Sequence, residues 1–157
     1  MKTEAWVIAA MAASWMVFGQ VNAEEKALHK SQVPKAVLDA FEKAYPNMKD
    51  VEFEEEMFNG NAAYEVEFKT NHKEHEVLYS ANGTLLQKEE EIEAEALPES
   101  VADAIRKAYP KAKIKEVEKI LKPDDTMTGY EVEIVTAGKE IELELDTQGK
   151  ILRKEKE

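Results

Sequence analysis

One stretch of this sequence occurs twice. Val33-Pro-Lys-Ala-Val-Leu-Asp-Ala-Phe-Glu-Lys-Ala-Tyr-Pro46 returns about 64 residues later as Leu97-Pro-Glu-Ser-Val-Ala-Asp-Ala-Ile-Arg-Lys-Ala-Tyr-Pro110. Tyr64-Glu-Val-Glu-Phe68 returns as Tyr130-Glu-Val-Glu-Ile134, Lys73-Glu74 as Lys139-Glu140, Gly83 as Gly149 and Leu86 as Leu152, now about 66 residues apart. A two-residue insertion therefore falls between Pro46 and Tyr64 or in the matching part of the second copy. A repeat of this order requires one supersecondary unit built twice, each copy burying its apolar side by the same pattern.

Each copy opens on a helix. Pro34 and Pro98 suit a first helical position, where the missing N–H removes no hydrogen bond. Val37, Ala40, Phe41 and Ala44 form one apolar stripe at helical spacing, and Val101, Ala104, Ile105 and Ala108 form its twin. Pro46 and Pro110 force Tyr45 and Tyr109 out of helical geometry and close both helices. Strands follow. Tyr64, Val66 and Phe68 alternate with Glu65, Glu67 and Lys69, and Ile141, Leu143 and Leu145 alternate with Glu140, Glu142 and Glu144. Such alternation gives a sheet one dry and one wet face, as antiparallel sheets have. Asn59-Gly60, Asn82-Gly83 and Ala137-Gly138 supply hairpin turns. The pattern predicts strands near 48–58, 61–70, 73–80 and 84–91, then near 113–122, 129–136, 139–146 and 150–155. The expected fold is α+β, a tandem αβ4 duplication with both helices on one face of a continuous antiparallel sheet.

Ahead of the first copy stands a different kind of segment. Lys2 begins a short polar start, residues 5–18 are apolar apart from Ser14, and Val21-Asn22-Ala23 precedes Glu24-Glu25. That order is a secretory signal peptide with cleavage near Ala23. Its apolar run is shorter than the roughly 20 residues a membrane span needs. Residues 1–23 are thus read as signal peptide, 24–93 as the first repeat and 94–157 as the second, together one domain. After cleavage the chain has no membrane span and is expected in the periplasm of a bacterium or secreted from it.

Thirty-three acidic against 21 basic residues give a net charge of −12 in 157 residues. Nucleic-acid binding needs clustered Lys and Arg, and anionic membrane surfaces would repel this chain. The absence of Cys excludes disulfides, thiol catalysis and thiolate metal sites.

The doubled Leu/Val-Pro-x-x-Val-x-x-Ala-x-x-x-x-Tyr-Pro, Tyr-Glu-Val-Glu and x-Gly-x-x-Leu motifs resemble the PepSY-like, β-lactamase-inhibitor-like family of small exported bacterial proteins, over nearly all of residues 33–155. The resemblance implies the duplicated helix-and-four-strand fold and an exported protein that binds or inhibits another protein through its open sheet face. Its motifs are structural, so no catalytic residue is carried over from it.

The residues themselves suggest a surface rather than an active site. The outward strand positions expected to meet a partner are Glu52, Glu54, Glu65, Glu67, Glu74, Glu76, Glu131, Glu133, Glu140, Glu142 and Glu144, with Glu56 also outward. Of the outward positions only Phe58 and Leu78 could anchor an inhibitor-type contact, which favours hot-spot aromatics. His72 and His75 are three apart, which on a strand sends them to opposite faces, and His75 aligns with the inward Ile141. They are read as a turn histidine and a sheet-rim histidine rather than a metal pair. Ser31, Ser80 and Ser100 lack a Gly-x-Ser-x-Gly setting, and carboxylates on a wet face are poor acid–base catalysts. No catalytic, cofactor-binding or metal-ligating residue is assigned, and the chain is read as a non-enzyme. The run Glu89-Glu-Glu-Ile-Glu-Ala-Glu-Ala96 is expected to finish a strand and then serve as a solvated linker. Two function classes follow: a binding module whose acidic sheet face meets a basic protein or divalent cation, or an envelope structural or stress-related protein whose acidity serves solubility alone.

Overall fold

The computed structural model describes residues 26–156; the expected signal peptide and its cleavage site lie outside the described residues. Nine strands form one antiparallel sheet in simple chain order: β1 (Lys26–Ala27), β2 (Glu52–Phe58), β3 (Asn61–Thr70), β4 (Lys73–Ser80), β5 (Leu85–Glu91), β6 (Lys113–Leu121), β7 (Met127–Thr136), β8 (Lys139–Asp146) and β9 (Ile151–Lys156). Helix α1 (Lys35–Ala44) links β1 to β2, and α2 (Glu99–Ala108) links β5 to β6. The eight expected strands are all present, their ends shifted by a few residues. The two-residue β1 and short 3₁₀ turns at Lys30–Gln32 and Ala94–Ala96 are too brief to leave a periodic signal.

Both helices begin one residue later than the sequence suggests. Pro34 and Pro98 are the capping residues, with extended ψ of 135° and 142°. Pro34 O still accepts from the Val37 and Leu38 amides, at 3.0 and 3.2 Å, so the ring loses nothing at this site. At the other end Tyr45 and Tyr109 leave helical geometry before Pro46 and Pro110, as the sequence implies. The insertion that separates the repeats lies in the β6–β7 turn, where residues 122–126 stand against Phe58-Asn59-Gly60 at the β2–β3 turn.

Each repeat has its own core on the helix side of the shared sheet. Val33, Val37 and Phe41 pack on Phe53, Val66, Phe68, Val77 and Tyr79. Leu97, Val101 and Ile105 pack on Val117, Tyr130, Val132, Ile134, Ile141, Leu143 and Leu145. The first core is the more aromatic: the Phe68 ring lies 5.3 Å from Phe41 and 4.6 Å from Tyr45, centroid to centroid. The copies join where β5 pairs with β6, Glu89 opposite Ile120 and Glu91 opposite Glu118. With both helices on one side, the other sheet face is left without a covering element among the described residues, and it is there that the glutamates gather.

Candidate functional site: a glutamate-lined groove

That open face is concave. It encloses a groove of about 660 Å³ lined by every strand from β2 to β9, and fourteen of the lining residues are glutamates, with Arg153 the one cation among the described lining residues. Its composition follows from strand periodicity: once Val66, Val77, Val117, Val132 and Leu143 point to the helices, the residues flanking each must point into the groove. Twist and curvature of a large sheet then draw these side chains together on the concave side.

Nine of the eleven glutamates expected at a partner face line this groove: Glu54, Glu65, Glu67, Glu74, Glu76, Glu131, Glu133, Glu142 and Glu144. Glu52 sits instead by a neighbouring hollow beside Lys49 and Lys69. Glu140 stands at the rim, 3.4 Å from Lys115 Nζ. Across the strands Glu67 faces Glu76, Glu131 faces Glu144 and Glu133 faces Glu142, whereas Glu65 faces Leu78 and Glu74 faces Lys69.

Three residues central to the groove were not among the expected set. Glu89 and Glu118 are 7% and 6% exposed, deeper than any of the eleven, and Glu116 lies two residues along β6. Glu116 and Glu118 are the repeat partners of Glu52 and Glu54, so the duplication itself could have found them. Glu89 was expected to help finish a strand, and β5 does hold it; its place in the groove, directly opposite Glu76, went unread because it stood in an acidic run that continues as a linker. Leu78 is buried and cannot anchor a partner, whereas Phe58 lines one end of the groove beside the exposed Met57.

The groove is far from a freely wetted surface, and its carboxyls register this. Burial, reinforced by the charge of Glu65, pushes Glu76 up to about 12. Burial and then Glu89 push Glu118 up to about 9. Glu89 is lifted to about 7 by burial, held back by the Gln87 side chain, whose Nε2 donates to Glu89 Oε1 at 2.7 Å. Glu131 is raised well above its ordinary range, by burial first and by Glu89 next. Glu67 rises to about 8 because its protonated form donates to Glu74, with burial adding; Glu74 is correspondingly lowered, and it also binds Lys69 at 2.7 Å. The rise is shared by Glu67, Glu76, Glu89, Glu116, Glu118 and Glu131, while Glu74 moves the other way.

Arg153 relieves one end, within 3.3–3.8 Å of Glu131, Glu142, Glu144 and Glu155. Towards the middle, Glu76, Glu89 and Glu118 each offer a carboxylate oxygen within 4.8 Å of the others. Glu89 Oε2 and Glu118 Oε1 are shut off from water and have no hydrogen-bond partner. Burial and crowding on this face favour the protonated form of its central carboxyls. The histidines stand apart from it. His75 stacks on Phe68 at 5.5 Å and bonds Thr70 Oγ1 at 2.8 Å, and His72 is exposed in the β3–β4 turn.

Comparison with known proteins places this fold. The family described as "Putative beta-lactamase-inhibitor-like, PepSY-like" matches residues 11–87 and 86–153, one match per repeat. The chain belongs to the PepSY-like family. Solved structures similar to this PepSY-like protein include a BLIP-like protein of Bacteroides fragilis NCTC 9343, 25% identical, covering 79% of this chain and 86% of that one, with a TM-score of 0.51. A DUF2874 family protein of Bacteroides uniformis ATCC 8492 is 18% identical over 79% of this chain and 89% of that one, with a TM-score of 0.57. A protein named "putative periplasmic" from Bacteroides eggerthii DSM 20697 is 15% identical over 79% and 88% of the two chains, with a TM-score of 0.59. The last two, at such identity, speak for the fold alone. No curated protein matches the PepSY-like chain.

Proposed function

We propose that this PepSY-like protein is an exported, non-catalytic binding module that holds a basic segment of another protein in its glutamate-lined groove. The observation that carries the reading is the lining itself: fourteen glutamates and one arginine around one concavity. Like charges facing one another across strands are destabilising, and solubility could be had from the same residues spread over the surface. A lysine- or arginine-rich segment entering the groove would relieve that repulsion, and the charge would also hasten encounter. The inhibitor-like name of the family and the BLIP-like relative support a protein-binding role. The groove's scarcity of aromatic anchors, with Phe58 alone at one end, favours a partner read by charge over an enzyme surface held by buried rings. Export is supported by the leader-like residues 1–23; intact-mass analysis of secreted material should start at Glu24, and a mass starting at Met1 would contradict it.

Binding of a labelled oligolysine peptide, followed by fluorescence anisotropy, tests the groove reading. Replacing Glu54, Glu133 and Glu144 together by Gln should weaken binding strongly and reduce its salt dependence. Replacing Glu99, on α2, should change neither. Equal loss from both sets would mean that net charge, not the groove, draws the peptide.

A further inference from the structure

We propose that the floor of the groove is a divalent-cation site in which the carboxylates of Glu76, Glu89 and Glu118 together hold one calcium-type ion. The proposal rests on the reading of the groove as a cation-binding face, and names a second, smaller ligand for its deepest part.

Three observations converge on this spot. The first is geometry. One oxygen from each of the three side chains lies within 4.8 Å of the others. Calcium binds oxygen at about 2.3–2.6 Å, so two oxygens on one ion stand at most about 5 Å apart. The trio therefore needs little movement to close on a single ion. The second is an unmet demand. Glu89 Oε2 and Glu118 Oε1 are inaccessible to solvent and lack any hydrogen-bond partner, in side chains 7% and 6% exposed. Buried carboxylate oxygens left without a partner are costly and uncommon, and a bound ion is one of the few things that meets the demand. The third is position. Glu76 and Glu89 are paired residues of neighbouring strands β4 and β5, and Glu118 comes from β6, across the seam between the two repeats. The ligands are thus held by the sheet backbone rather than by mobile loops, and an ion here would tie one copy to the other.

The chemistry selects the ion. All three donors are carboxylate oxygens, with no imidazole or thiolate among them, which suits a hard cation and not zinc. Magnesium keeps most of its water and demands near-octahedral ligands, whereas calcium accepts several carboxylates in irregular geometry. A water-excluding floor with three carboxylates on three strands fits the second habit.

Isothermal titration of the purified, chelator-stripped protein with calcium chloride decides the matter, with magnesium chloride and sodium chloride of equal ionic strength alongside. The expected result is one saturable calcium site per chain, weaker for magnesium and absent for sodium. Glu89→Gln and Glu118→Gln preserve side-chain volume and keep a polar group in place, so both variants should fold, as their melting curves will show. Each should weaken calcium binding by roughly tenfold or more, since even outer-shell changes at metal sites cost about 10–100-fold. Glu99→Gln should leave it unchanged. Calcium heats matched by sodium, or calcium binding unaltered in both variants, would overturn the site. Oligolysine binding measured on the same preparations separates the two ideas. Peptide bound without calcium sinks only the metal site; calcium bound without peptide supports the site and sinks the basic-partner reading.

Discussion

Gly83 and Gly149 show how one residue can tie the two layers together. Both have positive φ, 80° and 89°, and a Cβ on either would stand 2.4 Å from Ala36 O or 2.8 Å from Ser100 O. Ala36 and Ser100 are themselves repeat partners, so each hairpin turn is pressed against the first turn of its own helix. An L side chain is therefore strained by φ and blocked by backbone at once. Gly83→Ala and Gly149→Ala should each cost at least about 1–3 kcal/mol, the usual range for such backbone strain. Gly138→Ala is the control, because its φ is also positive, 74°, but nothing lies within 4 Å of the added carbon. Chemical denaturation that finds the three variants equal would remove the helix contact from the explanation. The sequence showed Gly83 only as a hairpin signal and Gly149 only as its repeat partner, since the contact joins residues far apart in the chain.

Among the elements, the helices and alternating strands were the most legible parts because their burial has a fixed period. Phe41 and Ile105 fall at the same place in the two copies and are 4% and 2% exposed. Truncating either to Ala should cost about 2–5 kcal/mol, with Phe41 at the upper end because it also meets the Phe68 and Tyr45 rings. A cost under about 0.5 kcal/mol in urea unfolding would mean that helix does not face the sheet. On β5 and β6 the strands were legible but the burial of their acidic residues was not: Glu89 was expected at a strand end, yet the strand pairs on both sides and Glu89 points into the groove. Charge predicts exposure only where the neighbouring elements leave room for water. The groove face was legible as a row of alternate glutamates; its depth was not, because curvature is a property of nine strands acting together.

At the scale of the whole molecule, the burial of the groove's carboxyls, with their mutual hydrogen bonding and repulsion, sets how stability responds to pH. Glu67, Glu89 and Glu118 have folded values of about 8, 7 and 9 against an ordinary 4.5. Between pH 4.5 and those values the folded protein holds protons that the unfolded chain has already lost. Stability must fall as pH rises through that window. Glu74, Asp124 and Asp146 are shifted downward, so their opposing contribution changes only below it. In buffer containing a chelator, the melting temperature should drop steadily from pH 5 to pH 9; a flat or rising profile would contradict a water-poor groove. Positive ligands should reverse that loss, and this leads to the most direct test of the groove as a cation-binding face. The melting temperature at pH 8 is measured with oligolysine or calcium chloride, each matched against sodium chloride of equal ionic strength. Screening acts alike in all of these solutions, whereas a ligand that binds only the folded state adds stability according to its concentration and affinity. A rise with oligolysine or calcium well beyond that with sodium is the predicted result. Equal shifts in all three would mean that the groove binds no cation.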